Sequence, residues 1–321
     1  MTLILTFITS AIRLGITFLL GSTGEIITEK SGHLNLGIPG VMCVGAACGC
    51  LGESLYTRGL QSYDDMNPIL AVVIPILCSL LGTAIMGLIY SFLTVTLRAN
   101  QNVTGLALTT FGVGVTNYII SQIDFVTFQR GSRFFTASLP FASKLGWFGQ
   151  IFLSYGFMVY LGIAIAVVAS LVLTKTRVGL HLRAVGENPA TADAMGINVT
   201  AYRYAATCIG SAIAGLGGLF FVMDYLGGNW EYCIDAMGWL SIALVIFTVW
   251  KPHMSIIGSF LFGGLYIAYN YIGGVTFAQK ELLKMLPYVV TILVLIITSI
   301  RNKRENQPPA GLGLNYYREE R

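Results

Sequence analysis

From Leu3 to Ile300 the chain is a succession of long apolar stretches, most of them without a single Asp, Glu, Lys or Arg, so the ionisable side chains gather in the connections. A helix satisfies its backbone polar groups internally and crosses the hydrocarbon of a bilayer in about 20 residues, which makes this the pattern of an integral membrane protein. The expected fold class is all-α, a polytopic membrane helix bundle. Ion coupling and intramembrane chemistry generally use charged or metal-binding side chains at membrane depth. With those nearly absent from the stretches, the energy source is expected on another polypeptide.

Composition excludes an ordinary soluble domain: 55% of the 321 residues are hydrophobic, 11% are charged, and mean hydropathy is +0.72. The net charge of +4 is distributed by membrane side and builds no basic face with interleaved aromatics, so no nucleic-acid partner is expected. The six cysteines lie mostly in Gly- and Ala-rich runs, where a thiol packs as a small hydrophobe. His33, His181 and His253 fall in different connections, and no metal site is expected.

About nine spans are expected, with eight to ten as bounds, near 3–21, 36–52, 68–96, 103–120, 151–174, 201–222, 234–250, 254–273 and 285–300. The first has no basic segment or small-residue cleavage site around it and is read as a retained span. Pro75 is a possible kink in the third. Lys175, Arg177, Arg183 and Arg203 in or beside the connection 174–200, and Arg301, Lys303, Arg304, Arg318 and Arg321 in the tail, mark both regions as cytoplasmic. An even number of spans separates them, and counting back puts the N-terminus outside. The loop 53–67, with Glu53, Asp64 and Asp65, and the stretch around Asp224 and Glu231 are then outer. The segment 121–150 carries Arg130, Arg133 and Lys144 on that outer side and has room for a half-helix or an amphipathic surface helix. A further crossing there or in 22–36 would move the N-terminus inside.

The connection 179–199 holds the most informative local pattern. Asn188 suits an N-cap, Pro189 a first helical position and Gly196 the left-handed residue that ends a helix, so a short helix is expected from Pro189 to about Met195. Its Ala190, Ala192, Ala194 and Met195 are small or apolar, with Asp193 for water, and such a helix could dock into a groove on a soluble partner. A plain solvated loop with a capped turn is the alternative. Within the spans, Gly210, Ala214 and Gly218, and also Gly45 and Gly49, recur at helical spacing and are read first as tight internal packing and second as a subunit interface. Arg13 lies mid-span and either makes a functional contact or snorkels to the interface. A polar solute would need a lining of hydroxyls, amides and aromatics, for which the candidates are Thr109, Thr110, Asn117, Ser211, Trp239, Ser241, Tyr269 and Asn270, with Asp235 at the outer mouth. The sequence contains no phosphate-binding loop, serine-nucleophile elbow or HExxH motif, so neither ATP hydrolysis nor other catalysis is expected of this chain, and no cofactor.

The stretches GEIITEKSGHLNLGIPGVM (24–42) and LRAVGENPATADAMGINV (182–199), followed by AGLGGLF and AMGWLSIALVIFTVWKP, resemble the membrane permease subunits of ATP-binding-cassette importers. Within the branched-chain amino acid and ribose permease superfamily they are most similar to the nucleoside-type branch. The resemblance runs over roughly 10–300, and residues 1–300 are read as a single permease domain, with its cytoplasmic coupling segment at about 179–199, followed by the cytoplasmic tail 301–321. It implies a bacterial cytoplasmic-membrane protein that pairs with a second, related permease, takes solute from an extracellular binding lipoprotein, and is driven by a separate ATPase that uses ATP and Mg. It also implies that the coupling residues are Asn188, Pro189, Ala190, Ala192, Asp193, Ala194 and Gly196. Pro39 stands where the branch often carries an acidic residue, and the tail is rich in charge and proline; neither departure falls in the coupling segment. They leave open a purine nucleoside, another nucleoside or a different sugar-containing solute. The alternatives are an ABC permease for a sugar or an amino acid, and a stand-alone passive facilitator or secondary transporter.

Overall fold

The computed structural model describes residues 2–60, 62, 65–138, 146–274, 276–301 and 307–317. Asp64, Lys144, Lys303, Arg304, Arg318 and Arg321 lie outside these residues. The described residues form helices α1 (Thr2–Glu29), α2 (Ile38–Thr57), α3 (Pro68–Ser91), α4 (Gln101–Ser121), α5 (Phe125–Phe135), α6 (Gly146–Phe152) and α7 (Phe157–Lys175). They continue with α8 (Arg177–Glu187), α9 (Pro189–Ala194), α10 (Val199–Phe220), α11 (Ile234–Phe247), α12 (Pro252–Ile267), α13 (Phe277–Lys284) and α14 (Leu286–Arg301). Single π-helical turns, Phe92–Thr96 and Phe221–Tyr225, extend α3 and α10.

Helices occupy all the places where spans were expected, but six of the described helices have the length and apolarity of a full crossing: α1, α2, α3, α4, α7 and α10. The others are shorter, 14 residues for α11 and 16 each for α12 and α14. No additional crossing appears in 22–36, because α1 runs unbroken to Glu29. The segment after residue 121 contributes α5 and α6, which at 11 and 7 residues are too short to span. Amphipathic α5 buries Phe128 and Phe135 and leaves Arg130 and Arg133 exposed.

The core is built on α1, α2 and α10. Buried residues make up 83% of the apolar window of α2 and 78% of that of α10, against 28% for α3 and for α4, so the first two are central and the last two face outward. Small residues let these backbones approach where lipid offers no hydrophobic drive to association. Gly45 of α2 lies against Gly215 of α10, Gly210 against Gly24 of α1, and Gly218 against Met42. The glycine stripe is internal packing, the first of its two readings.

Helix ends gather on two faces. On one, Lys30 at the end of α1 lies against Gly186 of α8, and the tail residues 310–316 bond to both α8 and α9. The segment 179–199 and the tail residues 310–316 therefore share a face. On the other face, Tyr271, after α12, donates to the Thr6 carbonyl near the start of α1 at 3.4 Å. The start of α1 is thus at the face opposite α9.

Buried carboxylates correct the charge map read from the sequence. Glu25, Glu29, Glu53 and Asp224 are all at most 3% exposed, and all lie in helices long enough to cross. Glu53 belongs to α2 rather than to an outer loop, because α2 continues to Thr57, and neither of its carboxylate oxygens has a partner among the described residues. Asp224 sits in the π turn that ends α10 rather than in solvent. Helices run past the ends of the apolar runs and carry their flanking acids into the protein interior, toward the helix ends.

Candidate functional site: the coupling segment and the far-face pocket

The short helix forms where local chemistry requires it. The Asn188 side chain accepts from the Thr191 amide at 3.0 Å, Pro189 occupies the first turn, and Gly196 takes φ +82° just beyond the end. Ala190, Thr191, Ala194, Met195 and Gly196 are exposed, Met195 by 78%, while Asn188 is exposed at the cap. Ala192 is the exception. It is 3% exposed and packs with Val185 of α8 and Val199 of α10, so it anchors α9 to the bundle and is not part of the outward face. Asp193 is half-buried and accepts from the Tyr316 hydroxyl at 2.8 Å. Beside α9 a cavity of about 410 Å³ is lined by Thr94, Arg98, Asp193, Asn198, Arg203 and Tyr316, among others.

Next to this segment, the α1–α2 turn is a polar junction. The amide of Asn35 donates to Glu25 at 3.0 Å, the indole of Trp250 donates to Glu29, and the amide of Leu34 donates to Gln101 of α4 at 2.9 Å. Tyr90 of α3 donates to the Leu34 carbonyl at 2.5 Å. His33 is fully buried 3.4 Å from the Thr207 hydroxyl; burial, aided by the Arg203 charge, lowers its pKa from 6.5 to about 3 and keeps the ring neutral. Helices α1, α2, α3, α4, α10 and α11 are thus tied together at the end nearest α9.

Toward the other face, the candidate path residues divide. Asn117 of α4 and Asp235 of α11 come together around a pocket of about 80 Å³ with Thr116, Trp230, Glu231 and Tyr232. The Thr116 hydroxyl and Trp230 indole nitrogen that line it are buried and have no hydrogen-bond partner among the described residues. Sequence reasoning missed both; the only signal was their proximity to Asn117 and Asp235 in the chain. The remaining candidates do not join this pocket. Thr109 spends its hydroxyl on the Leu36 carbonyl at 2.9 Å, and Thr110 spends its own on Leu106. Ser211 is buried on α10 facing Gly87 of α3, and Ser241 bonds back to Met237 at 2.9 Å. Trp239 packs half-buried on the core, and Asn270 is exposed after α12. Arg13 pairs with a carboxylate: its Nη2 and Nε lie 2.9 and 3.2 Å from Asp224 Oδ1, at the edge of a cavity that includes Thr136 and Ser154.

A family described as the branched-chain amino acid transport system / permease component matches residues 7–295. The chain belongs to this permease family. It is similar to the nucleoside ABC transporter permease protein NupC of Lactococcus lactis, at 32% identity over 86% of each chain. The guanosine ABC transporter permease protein NupQ of Bacillus subtilis is 29% identical over 86% of each chain. A candidate glucose ABC transporter permease protein of Haloferax volcanii is 29% identical over 97% of each. The permease is a multi-pass membrane protein, and the relatives it resembles are transporter permease subunits.

Proposed function

We propose that this permease is half of the translocation path of an ATP-driven importer for nucleosides in a bacterial cytoplasmic membrane. A separate ATPase hydrolyses ATP with Mg on the cytoplasmic face, a second related permease completes the path, and an extracellular binding lipoprotein delivers solute. The observation that carries the reading is α9. It is capped at both ends, its outer face of Ala190, Ala194 and Met195 is free, and it stands between two longer helices on the face that also receives the tail. A helix so placed can pass closure of an ATPase to the bundle as a two-state element biased by a partner. In this scheme α9 and the C-terminus are cytoplasmic, and the Asn117–Asp235 pocket lies toward the outer mouth. Nucleosides are favoured because two relatives are named for them. A sugar is the second reading, supported by the relative named for glucose.

Buried Glu25, Glu29 and Glu53 supply carboxylates that a proton-coupled transporter could use, so the energy source is the decisive test. Labelled nucleoside uptake is measured in cells carrying the permease and its companion subunits, with and without the ATPase. Uptake that needs the ATPase and resists collapse of the proton gradient is the expected result. Uptake without the ATPase would overturn the importer reading, and competition by glucose but not by nucleosides would replace the solute.

A further inference from the structure

The tail that departs from the family pattern is bound to the coupling segment. Residues 310–317 cross the face that carries α9 and attach at successive points. The amides of Ala310 and Gly311 donate to the Glu187 carboxylate at 3.3 Å and to the Gly186 carbonyl at 2.9 Å, gripping the end of α8. The amide of Gly313 donates to the Gly32 carbonyl in the α1–α2 turn at 3.1 Å. The Asn315 amide group donates to the Arg98 carbonyl at 2.7 Å and its oxygen accepts from Gln101 at 3.3 Å, spanning the α3–α4 connection. Arg203 of α10 donates to the Leu314 carbonyl at 3.4 Å. Tyr316 then reaches α9 itself, donating its hydroxyl to Asp193 at 2.8 Å while its ring packs on the Val185, Ala192 and Val199 cluster. The Arg98 guanidinium lies over the Tyr317 ring, 4.7 Å from its centroid.

Helix α9 needs such support. It is 6 residues long, well below the length at which a helix holds itself in water, and Ala192 is its one buried side chain. Through the chain it is joined only to α8 and α10. The tail adds bonds to the α1–α2 turn, which α8 also touches through Gly186, and joins α9 to the α3–α4 connection.

We propose that residues 310–317 are a strap that makes α9 move as one body with the inner ends of α1 to α4, and that Tyr316 is the positioning residue that closes it on Asp193. The inference rests on the importer reading for its consequence, coupled transport, but not for its mechanics. Without the strap, docking at α9 would displace a loosely held turn, and ATP hydrolysis would proceed with little movement of the path. The mechanism needs no change in the ATPase and no contact between the tail and solute.

Two variants test it in the complete transporter reconstituted in liposomes: Tyr316→Phe, which deletes one hydroxyl, and a chain ending at Pro308. The expected result for Tyr316→Phe is about a tenfold fall in nucleoside accumulated per ATP hydrolysed, the scale of a lost hydrogen bond to a carboxylate, with hydrolysis itself retained. The truncation should lose at least as much. A wild-type ratio in Tyr316→Phe overturns the proposal, even if the truncated chain fails to assemble. Should the wild-type complex show no ATP-dependent uptake, the importer reading fails and the strap is judged by hydrogen exchange of the isolated permease in detergent. There Tyr316→Phe should speed exchange of the amides of 191–197 about tenfold. Unchanged exchange would overturn it.

Discussion

Gly112→Ala and Gly114→Ala place the same methyl group two residues apart on one helix and should act in opposite directions. A Cβ on Gly112 of α4 would stand 2.6 Å from the Gly40 carbonyl oxygen and 2.8 Å from the Gly40 Cα, both of them backbone atoms of α2. The approach is reciprocal, since a Cβ on Gly40 would stand 2.6 Å from the Cα of Thr109. Carbon atoms pack at about 3.5 Å, so α2 and α4 must separate by about 0.7 Å, enough to forfeit a quarter to a half of the dispersion energy at each contact along the seam. Backbone cannot rotate out of the way as a side chain can, and the cost is that of overpacking, about 1–3 kcal/mol. Gly114 has nothing within 4 Å of its Cβ position and keeps only the helix-forming advantage of Ala, up to about 1 kcal/mol. That advantage is common to both variants, so their difference isolates the seam. Thermal unfolding of the detergent-solubilised permease, followed by its monodispersity after heating, should rank Gly114→Ala at or above wild type and Gly112→Ala clearly below. Equal midpoints for the two variants would refute the reasoning, because then the α2–α4 approach would not limit stability.

Four other outcomes follow from the same structure. Arg13→Ala leaves Asp224 buried without its cation and should destabilise the permease by about 3–5 kcal/mol, and the double variant Arg13→Ala with Asp224→Asn should recover much of the loss in the same thermal assay. His33 is held neutral with its pKa lowered from 6.5 to about 3, so between those values the unfolded chain binds the extra proton. Stability is then complete above about pH 6.5 and falls on acidification, by about 2 kcal/mol at pH 5, and a thermal pH series should show the slope flatten in His33→Asn. Met195→Asp puts a charge on the outward face of α9, where 78% of the residue is exposed, and should abolish ATP-driven uptake while leaving the permease folded and inserted. Normal uptake would remove that face from the coupling surface. Ala192→Asp is a different experiment: it buries the charge against Val185 and Val199 and should lower the amount of folded protein.

What was legible followed from how local each signal is. The short helix α9 could be read because Asn188, Pro189 and Gly196 act within a few residues of one another. The internal role of the glycines at 210 and 218 could be read as far as the spacing, though not which helix lies opposite. The far-face pocket was half legible: Asn117 and Asp235 stood out as polar groups in apolar runs, whereas Thr116 and Trp230 are ordinary until the fold leaves their polar atoms unpartnered. Thr109 and Ser241 show the converse, hydroxyls that looked available and are used by nearby carbonyls.

The sequence by itself determined that the chain is a membrane helix bundle, where most helices lie and which connection forms a capped helix, because hydropathy, charge placement and capping act over a turn or a span. Tertiary structure alone decided which acids are buried, since burial depends on neighbours distant in the chain: Arg13 finds Asp224 across 211 residues, and Glu53 is covered by α5. It also decided that the tail reaches α9. Much of that attachment is through backbone amides and carbonyls, which every residue type carries, so no pattern of side chains announces it.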